Sequence, residues 1–299
     1  MKKMLEKIDD DTLLVLAGDL YQIESIDFGN WFYYAKDIIK TDGANVELLN
    51  TWRTDKEELK SLWDEVRCIE PIITEKLAID GPFSSKIGEE IFIPQDEDEI
   101  VLCLNYDGKF GLNNMNLYFQ NANTKSDVYT WTEWTFKVGD PVIFLDTKRS
   151  SLLYNNLKGK IVDISKNDSA ISFTLDIDTI LTERQCRNES FEFVDITDFG
   201  TRIRLEVIAN NDETATDEER IKTIIPFQIA YAISIHKAQG LEYKSVKIII
   251  PPYNAEKISH SIFYTAITRA KEKLKIYWSA ETMKSVVESF SKEKVGQHT

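Results

Sequence analysis

Two short stretches of this chain set polar side chains in apolar surroundings. The first, Ala230 to Tyr243, holds Ser234, His236, Lys237, Gln239 and Glu242; the second, Tyr264 to Lys271, holds Thr268, Arg269 and Lys271. Polar groups taken out of water are costly unless something pairs with them. Two such clusters about one βα unit apart suggest one shared ligand, and these residue types suit phosphate. Ser234 is a good N-cap for a short helix that Gly240 ends, and a capped helix N-terminus offers free amides to an anion. Arg269 falls late on a helix expected over Ala255–Lys271, with Ile258, Ile262, Phe263, Ala266, Ile267 and Ala270 on its inner side. An uncompensated charge there is expensive, so Arg269 needs a local carboxylate or an anionic ligand. His236 alone reads equally well as a satisfied interior histidine.

The elements that must hold these clusters alternate between strand and helix. Ala230–Ile233, Val246–Ile250 and Leu274–Trp278 are apolar runs of the buried parallel type, and Glu281–Phe290 predicts a last helix. Upstream, Leu13–Ala17 predicts a buried strand feeding a loop at Gly18-Asp19, followed by a helix over Phe28–Ile39. Val46–Leu49 predicts a short strand, and Asp55–Val66 an amphipathic helix with Leu59, Leu62, Trp63 and Val66 inward. Ile100–Leu104 is another buried-type strand, followed by a turn at Asp107-Gly108 and a helix from about Leu112 to Asn121. After Ser126 the character changes to short strands: Thr130–Phe136, Val142–Leu145, Gly159–Ile164, Ser172-Phe173, Phe191–Val194 and Arg202–Val207. That spacing implies a small β-barrel or sandwich, left through the polar stretch Asn210–Arg220. The pattern is an α/β domain interrupted by an all-β module.

The totals narrow the classes. At 299 residues the chain can form two or three compact units. No apolar run approaches the roughly 18 to 20 residues a membrane span needs, and Met1–Lys7 leads into acids rather than a signal region. A cytoplasmic, membrane-free location is expected. Cys68, Cys103 and Cys186 are odd in number and widely spaced, and His236, His260 and His298 are the only histidines, so neither a disulfide set nor a metal site is expected. The net charge is −14, yet Tyr231–Trp278 carries eight Lys and Arg against Glu242, Glu256 and Glu272. A globally acidic, locally basic chain fits a protein gripping a polyanion in one cleft; an ordinary solvated surface is the other reading.

Four motifs, in order, resemble those of superfamily 1 DNA helicases of the RecD-like and UvrD-like kind, from Leu14 to about Tyr277. Gly18-Asp19-Leu20-Tyr21-Gln22 is similar to motif III, and Arg53, in Leu49–Thr54, to the motif IV arginine. Ser234-Ile235-His236-Lys237-Ala238-Gln239-Gly240-Leu241-Glu242 is similar to motif V, and Tyr264-Thr265-Ala266-Ile267-Thr268-Arg269-Ala270-Lys271 to motif VI. The resemblance implies that Gly18 and Asp19 lie at the nucleotide and that Gln22 senses its terminal phosphate or the attacking water. It implies that Arg53 grips phosphate and that Arg269 is an arginine finger. Ser234, His236 and Lys237 would face the DNA backbone, Gln239 and Gly240 would link that site to the nucleotide, and Glu242 would lie near the ribose. Val138–Val142 with Tyr154–Val162 resembles the SH3-like insert of RecD-like proteins, which lies beside the DNA track. Trp131, Trp134 and Tyr154 are then available to stack on bases or to fill the barrel. The implied division is a remnant of a first RecA-like domain (1–40), a second RecA-like domain (41–128 and 211–299) and an inserted SH3-like barrel (129–210).

The chain has no Gly-x-x-x-x-Gly-Lys-Ser/Thr phosphate cradle and no Asp-Glu pair after an apolar strand; Asp9-Asp10-Asp11 precedes the first strand. The expectation is therefore the C-terminal part of an ATP-driven helicase or translocase that begins inside its first RecA-like domain. Alone it should neither bind ATP tightly nor hydrolyse it. ATP and Mg2+ would act only in the complete helicase, with single-stranded DNA and an N-terminal RecA-like half as partners. The competing class is a non-catalytic nucleic-acid- or protein-binding module derived from such a motor.

Overall fold

The structure, a computed structural model, describes residues 6–9, 11–23, 35, 39, 44–48, 50–79, 81–124, 126–145, 149–209 and 216–296. In chain order, helix α1 (Glu57–Cys68) precedes strands β1 (Ser84–Ser85) and β2 (Glu99–Cys103), and helix α2 (Leu112–Ala122) leads into a hairpin of β3 (Tyr129–Trp131) and β4 (Trp134–Phe136). Strands β5 (Pro141–Phe144), β6 (Lys158–Lys166), β7 (Ala170–Ile177), β8 (Glu192–Thr197), β9 (Gly200–Ile208) and β10 (Phe227–Ile229) follow. The chain then runs through β11 (Ala232–Ser234), β12 (Tyr243–Ile249), helix α3 (His260–Ile267), β13 (Ala270–Tyr277) and helix α4 (Ala280–Gly296).

Five strands form a parallel sheet in the order β1-β13-β12-β2-β11. Its central strands are apolar on both sides because helices pack on them: Val246, Ile248, Leu102 and Ile276 are fully buried. Helix α1 lays Leu59, Leu62, Trp63 and Val66 into this core, as its sequence spacing predicts. Burying each such side chain is worth about 1.5–3 kcal/mol. The Trp63 indole also donates to the Ile267 carbonyl at 3.1 Å, tying α1 to the end of α3 beside Arg269. The edge strand β11 is closed by a side chain. Asn116 on α2 donates to the Ala232 carbonyl at 2.9 Å and accepts from the Ala232 amide at 2.8 Å, occupying backbone groups an open edge would expose.

Six further strands form an antiparallel sheet, β10-β5-β6-β7-β9-β8, while β3 and β4 pair only with each other; the core here gathers around Phe136, Phe144, Phe173, Leu205 and Phe227. Its edge strand β10 comes from downstream of residue 210, so the chain passes directly from this sheet into β11 of the other. A buried polar knot joins the two. Asp140 accepts from the Gln120 amide at 2.6 Å, the Lys137 N–H at 2.8 Å and the Tyr231 hydroxyl at 2.9 Å. Burial pushes the Asp140 pKa up, and these bonds offset part of that cost. Lys137 donates to the Gln120 and Asn123 carbonyls, capping the end of α2.

Several expectations are corrected. Leu13–Ala17 is not a buried strand: Leu13 is 87% and Val15 74% exposed, and no described strand lies beside it. Val46–Leu48 likewise forms no strand and is exposed, with residue 49 outside the described residues. Most of the helix expected over Phe28–Ile39 also lies outside them. The long helix expected over Ala255–Lys271 is broken into a 3-10 turn (Pro252–Lys257), the Ser259-capped helix α3, and a strand that already begins at Ala270. Arg269 therefore sits in the turn between helix and strand. Ser234 ends β11 rather than capping a helix, and residues 235–240 are consecutive turns. Gly240 has φ 84°, a conformation that favours glycine. No described helix is long and apolar enough to cross a membrane.

Candidate phosphate-binding site

Four segments meet at the starts of β12 and β13: the stretch 19–23, the loop before α1, the stretch 239–242, and the turn 268–269 with the first residues of β13. Arg269 is at their centre and is only 1% exposed. Its Nε donates to the Thr265 carbonyl at 2.8 Å and its Nη1 to the Leu241 carbonyl at 3.1 Å. Its Nη2 donates to the Thr268 hydroxyl at 2.9 Å and to Gln22 Oε1 at 3.4 Å. The Thr268 hydroxyl in turn donates to the Tyr264 and Thr265 carbonyls, which is how the last turn of α3 is consumed and why the helix stops there. All four acceptors are neutral. Burial, and then the neighbouring Arg53 charge, pull the Arg269 pKa down to about 10, so it remains a cation at neutral pH.

Arg53 reaches the same place from the loop before α1. Its Nη1 donates to the Thr268 carbonyl at 2.9 Å and its Nε to Glu242 Oε2 at 3.2 Å. Glu242 Oε1 pairs with Lys271 Nζ at 2.5 Å. Burial alone would raise the Glu242 pKa, but the Lys271 bond and charge, then Arg53, outweigh it and leave it lowered. The buried Thr54 hydroxyl donates to the Lys271 carbonyl, fastening the Arg53 loop to β13.

The stretch 19–23 is docked onto this surface. Asp19 accepts from the Tyr21 N–H at 3.0 Å and from Gln22 Nε2 at 2.8 Å, which turns Gln22 Oε1 toward Arg269. The Ile23 N–H donates to the Thr265 hydroxyl at 2.9 Å, and Gln239 Nε2 donates to the Ile23 carbonyl at 3.2 Å. The Tyr21 ring packs edge-on against Tyr264 and His260 beneath the Arg67 guanidinium. Gly18 is exposed at the end of the extended segment.

Gln22, Arg53, Glu242 and Arg269 are thus brought together, with Asp19 and Gln239 attached through Gln22 and Ile23. Ser234, His236 and Lys237 occupy a separate turn. Ser234 Oγ is 3.2 Å from the Lys237 N–H and accepts it, His236 is exposed, and burial lowers the Lys237 pKa. Among the described residues no hydrogen bond or ion pair joins these three to the two arginines. Glu242 bridges Arg53 and Lys271.

Sequence reasoning missed Lys158. From the start of β6 its Nζ reaches Asp98 Oδ1 at 3.0 Å, the Glu242 carbonyl at 3.2 Å and the face of Tyr243. It helps enclose a cleft of about 410 Å3 bordered by Tyr154, Asp178, Gly240, Glu242 and Lys271. Nothing in the local sequence around Lys158 marks these partners, which lie some 60 to 84 residues away.

A parallel sheet flanked by helices, with converging guanidiniums on the loops at one end, is a RecA-like α/β arrangement. Residues 229–277 match the UvrD-like helicase C-terminal domain family. The RecBCD enzyme subunit RecD of Buchnera aphidicola is 25% identical over 183 residues, covering 59% of this chain and 24% of that protein. The RecD subunit of Mycolicibacterium smegmatis is 22% identical over 317 residues, covering 96% of this chain and 49% of the relative. A Bacteroides Pif1 structure bound to single-stranded DNA aligns with a TM-score of 0.49 at 16% identity, over 89% of this chain and 62% of that one. By the family match and the RecD relatives the chain resembles the C-terminal portion of a superfamily 1 helicase, and it spans about a quarter to a half of the length of these curated relatives.

Proposed function

We propose that this chain is the phosphate-sensing and DNA-coupling part of an ATP-dependent DNA helicase or translocase. The carrying observation is Arg269, a cation 1% exposed whose described acceptors are all neutral. The Asp19 and Glu242 charges act on it only from a distance, with no direct contact, and an incoming phosphate would supply a counter-ion in contact. Arg53, half-buried beside it and held by one carbonyl and one exchangeable carboxylate, adds a second guanidinium to the same anion. Gln22, oriented by Asp19, has its amide at the edge of that space.

In this reading the terminal phosphate of ATP takes Arg53 and Arg269 as partners, and the positive pair stabilises charge that builds on its oxygens during transfer. The cradle for the other phosphates would come from a Walker-bearing RecA-like half, as the sequence holds no such motif. ATP and Mg2+ would act only in the complete helicase, together with that other half. Ser234, His236 and Lys237 would meet the backbone of single-stranded DNA, with Gln239 and Gly240 carrying the link to the phosphate. Strands β3 to β9 would belong to an SH3-like barrel inserted at about 129–210 into a second RecA-like domain of 41–128 and 211–299, with 1–40 belonging to the first and β10, from beyond the insert, closing one edge of its sheet. A cytoplasmic setting suits this chemistry.

The test uses tripolyphosphate as the probe, with thermal unfolding of the chain as readout at low ionic strength. Tripolyphosphate should raise the midpoint in the wild type, by linkage, and fail to do so in Arg269→Met and Arg53→Met. Stabilisation that persists in Arg269→Met would sink the reading. Robust DNA-stimulated ATP hydrolysis by this chain alone would also sink it.

A further inference from the structure

The bridging carboxylate has a consequence for Arg53. Glu242 has two oxygens, and each is taken by a different cation: Oε2 by Arg53 at 3.2 Å and Oε1 by Lys271 at 2.5 Å. Lys271 does not reach this place by chance. Its backbone carbonyl accepts the hydroxyl of Thr54, which neighbours Arg53 and is 4% exposed, and Thr54 also accepts the Lys56 N–H at 3.0 Å. The contacts close a ring: Arg53, Thr54, the Lys271 backbone, the Lys271 ammonium, Glu242 and back to Arg53.

The ring's charged members are exchangeable. The Arg53, Glu242 and Lys271 side chains are 30%, 41% and 39% exposed, in contrast to the sealed guanidinium of Arg269. Ion pairs at this exposure are weak and break readily. A carboxylate with one cation holds it; a carboxylate shared by two holds each less firmly. Arg53 also keeps the Thr268 carbonyl, so releasing Glu242 would swing its fork without detaching it.

We infer that Lys271 is a positioning residue: by sharing Glu242 it loosens the carboxylate's hold on Arg53 and leaves that guanidinium ready to exchange Glu242 for phosphate. Glu242 is then an internal stand-in for the phosphate, and Lys271 keeps it neutralised once Arg53 has left. This rests on the phosphate-sensing reading of Arg53 and Arg269.

Two measurements on the full chain separate the inference from that reading. The first is exchange of the Arg53 Nε proton with water, followed by nitrogen-edited NMR without any ligand. Lys271→Met should slow it about two- to fivefold, the range an exposed ion pair commands. Lys271→Arg should restore the wild-type rate, and Lys271→Met should have no effect once Glu242→Gln is present. An unchanged rate in Lys271→Met overturns the inference. The second is tripolyphosphate affinity by calorimetry. Glu242→Gln should tighten it and Lys271→Met weaken it, with the double variant matching Glu242→Gln alone. Simple additivity would mean that Lys271 acts only as a distant charge, and the inference fails. Absence of tripolyphosphate binding in the wild type brings down the phosphate reading instead, while the exchange rates still decide whether Lys271 governs the hold on Arg53.

Discussion

Lys247 and Arg269 are both cations at 1% exposure in the same α/β domain, yet their surroundings are opposite. Lys247, on β12, meets Glu99 Oε1 at 2.8 Å and the Ile91 and Ile93 carbonyls at 3.1 and 2.5 Å. Glu99 is itself completed by the Ser245 hydroxyl and the Gln95 N–H. That charge is balanced within the fold. Arg269 has four hydrogen bonds to the three of Lys247, but no carboxylate among its described partners. The difference separates a cation that serves the structure from one kept for something outside it. Burial and bond count alone would not have told them apart.

The comparison breaks first, if it breaks, on stability. Lys247→Met strands Glu99 in the core, and losing one member of a buried pair costs about 3–5 kcal/mol. Urea unfolding should show this, and adding Glu99→Gln should recover a large part. Arg269→Met leaves no stranded charge, only carbonyls and a hydroxyl without their donor, and should cost about 1–2 kcal/mol. If Arg269→Met proves as damaging as Lys247→Met, an unseen counter-ion is at work and the contrast is void. Thr268→Val is a finer probe. It keeps the volume of a side chain in a 3% exposed position but removes the nearer of the two acceptors of Arg269 Nη2, for about 1 kcal/mol by the same unfolding measurement.

The contrast was only half legible in the sequence. Periodicity identified α1, β2, β12 and the inward face of α3, because those elements bury their apolar residues against each other within this chain. It failed for Leu13–Ala17, since a run of apolar residues becomes a buried strand only where other strands flank it. It failed again at Arg269, read as the end of a helix. The Thr268 and Arg269 side chains compete for the Thr265 carbonyl and end the helix one turn early, a local hydrogen-bond contest that helical spacing does not record. Motif spacing did single out Gln22, Arg53, Glu242 and Arg269. It could not say which of them neutralise one another: Lys271 stood in the second cluster with no partner assigned, and Lys158 went unmarked because its partners are remote in the chain.

The smallest expected effect tests whether Glu242 belongs to Arg53 or, at longer range, to Arg269. The folded-state pKa of Glu242 lies below its ordinary 4.5, so its charged form favours the folded state. That contribution is fully present above about pH 4.5 and is lost as the pH falls through the depressed value. Because the carboxylate is 41% exposed and its partners are solvated, a few tenths of a kcal/mol is the expected size. Unfolding free energies of wild type and Glu242→Gln should therefore differ slightly at pH 6 and converge below the depressed value. A loss of 2 kcal/mol or more over that window would need a buried partner, and Arg269 is the buried cation whose charge Glu242 already feels. Arg269 would then have an internal counter-ion much as Lys247 does, and the case for an external phosphate would rest on Arg53 alone.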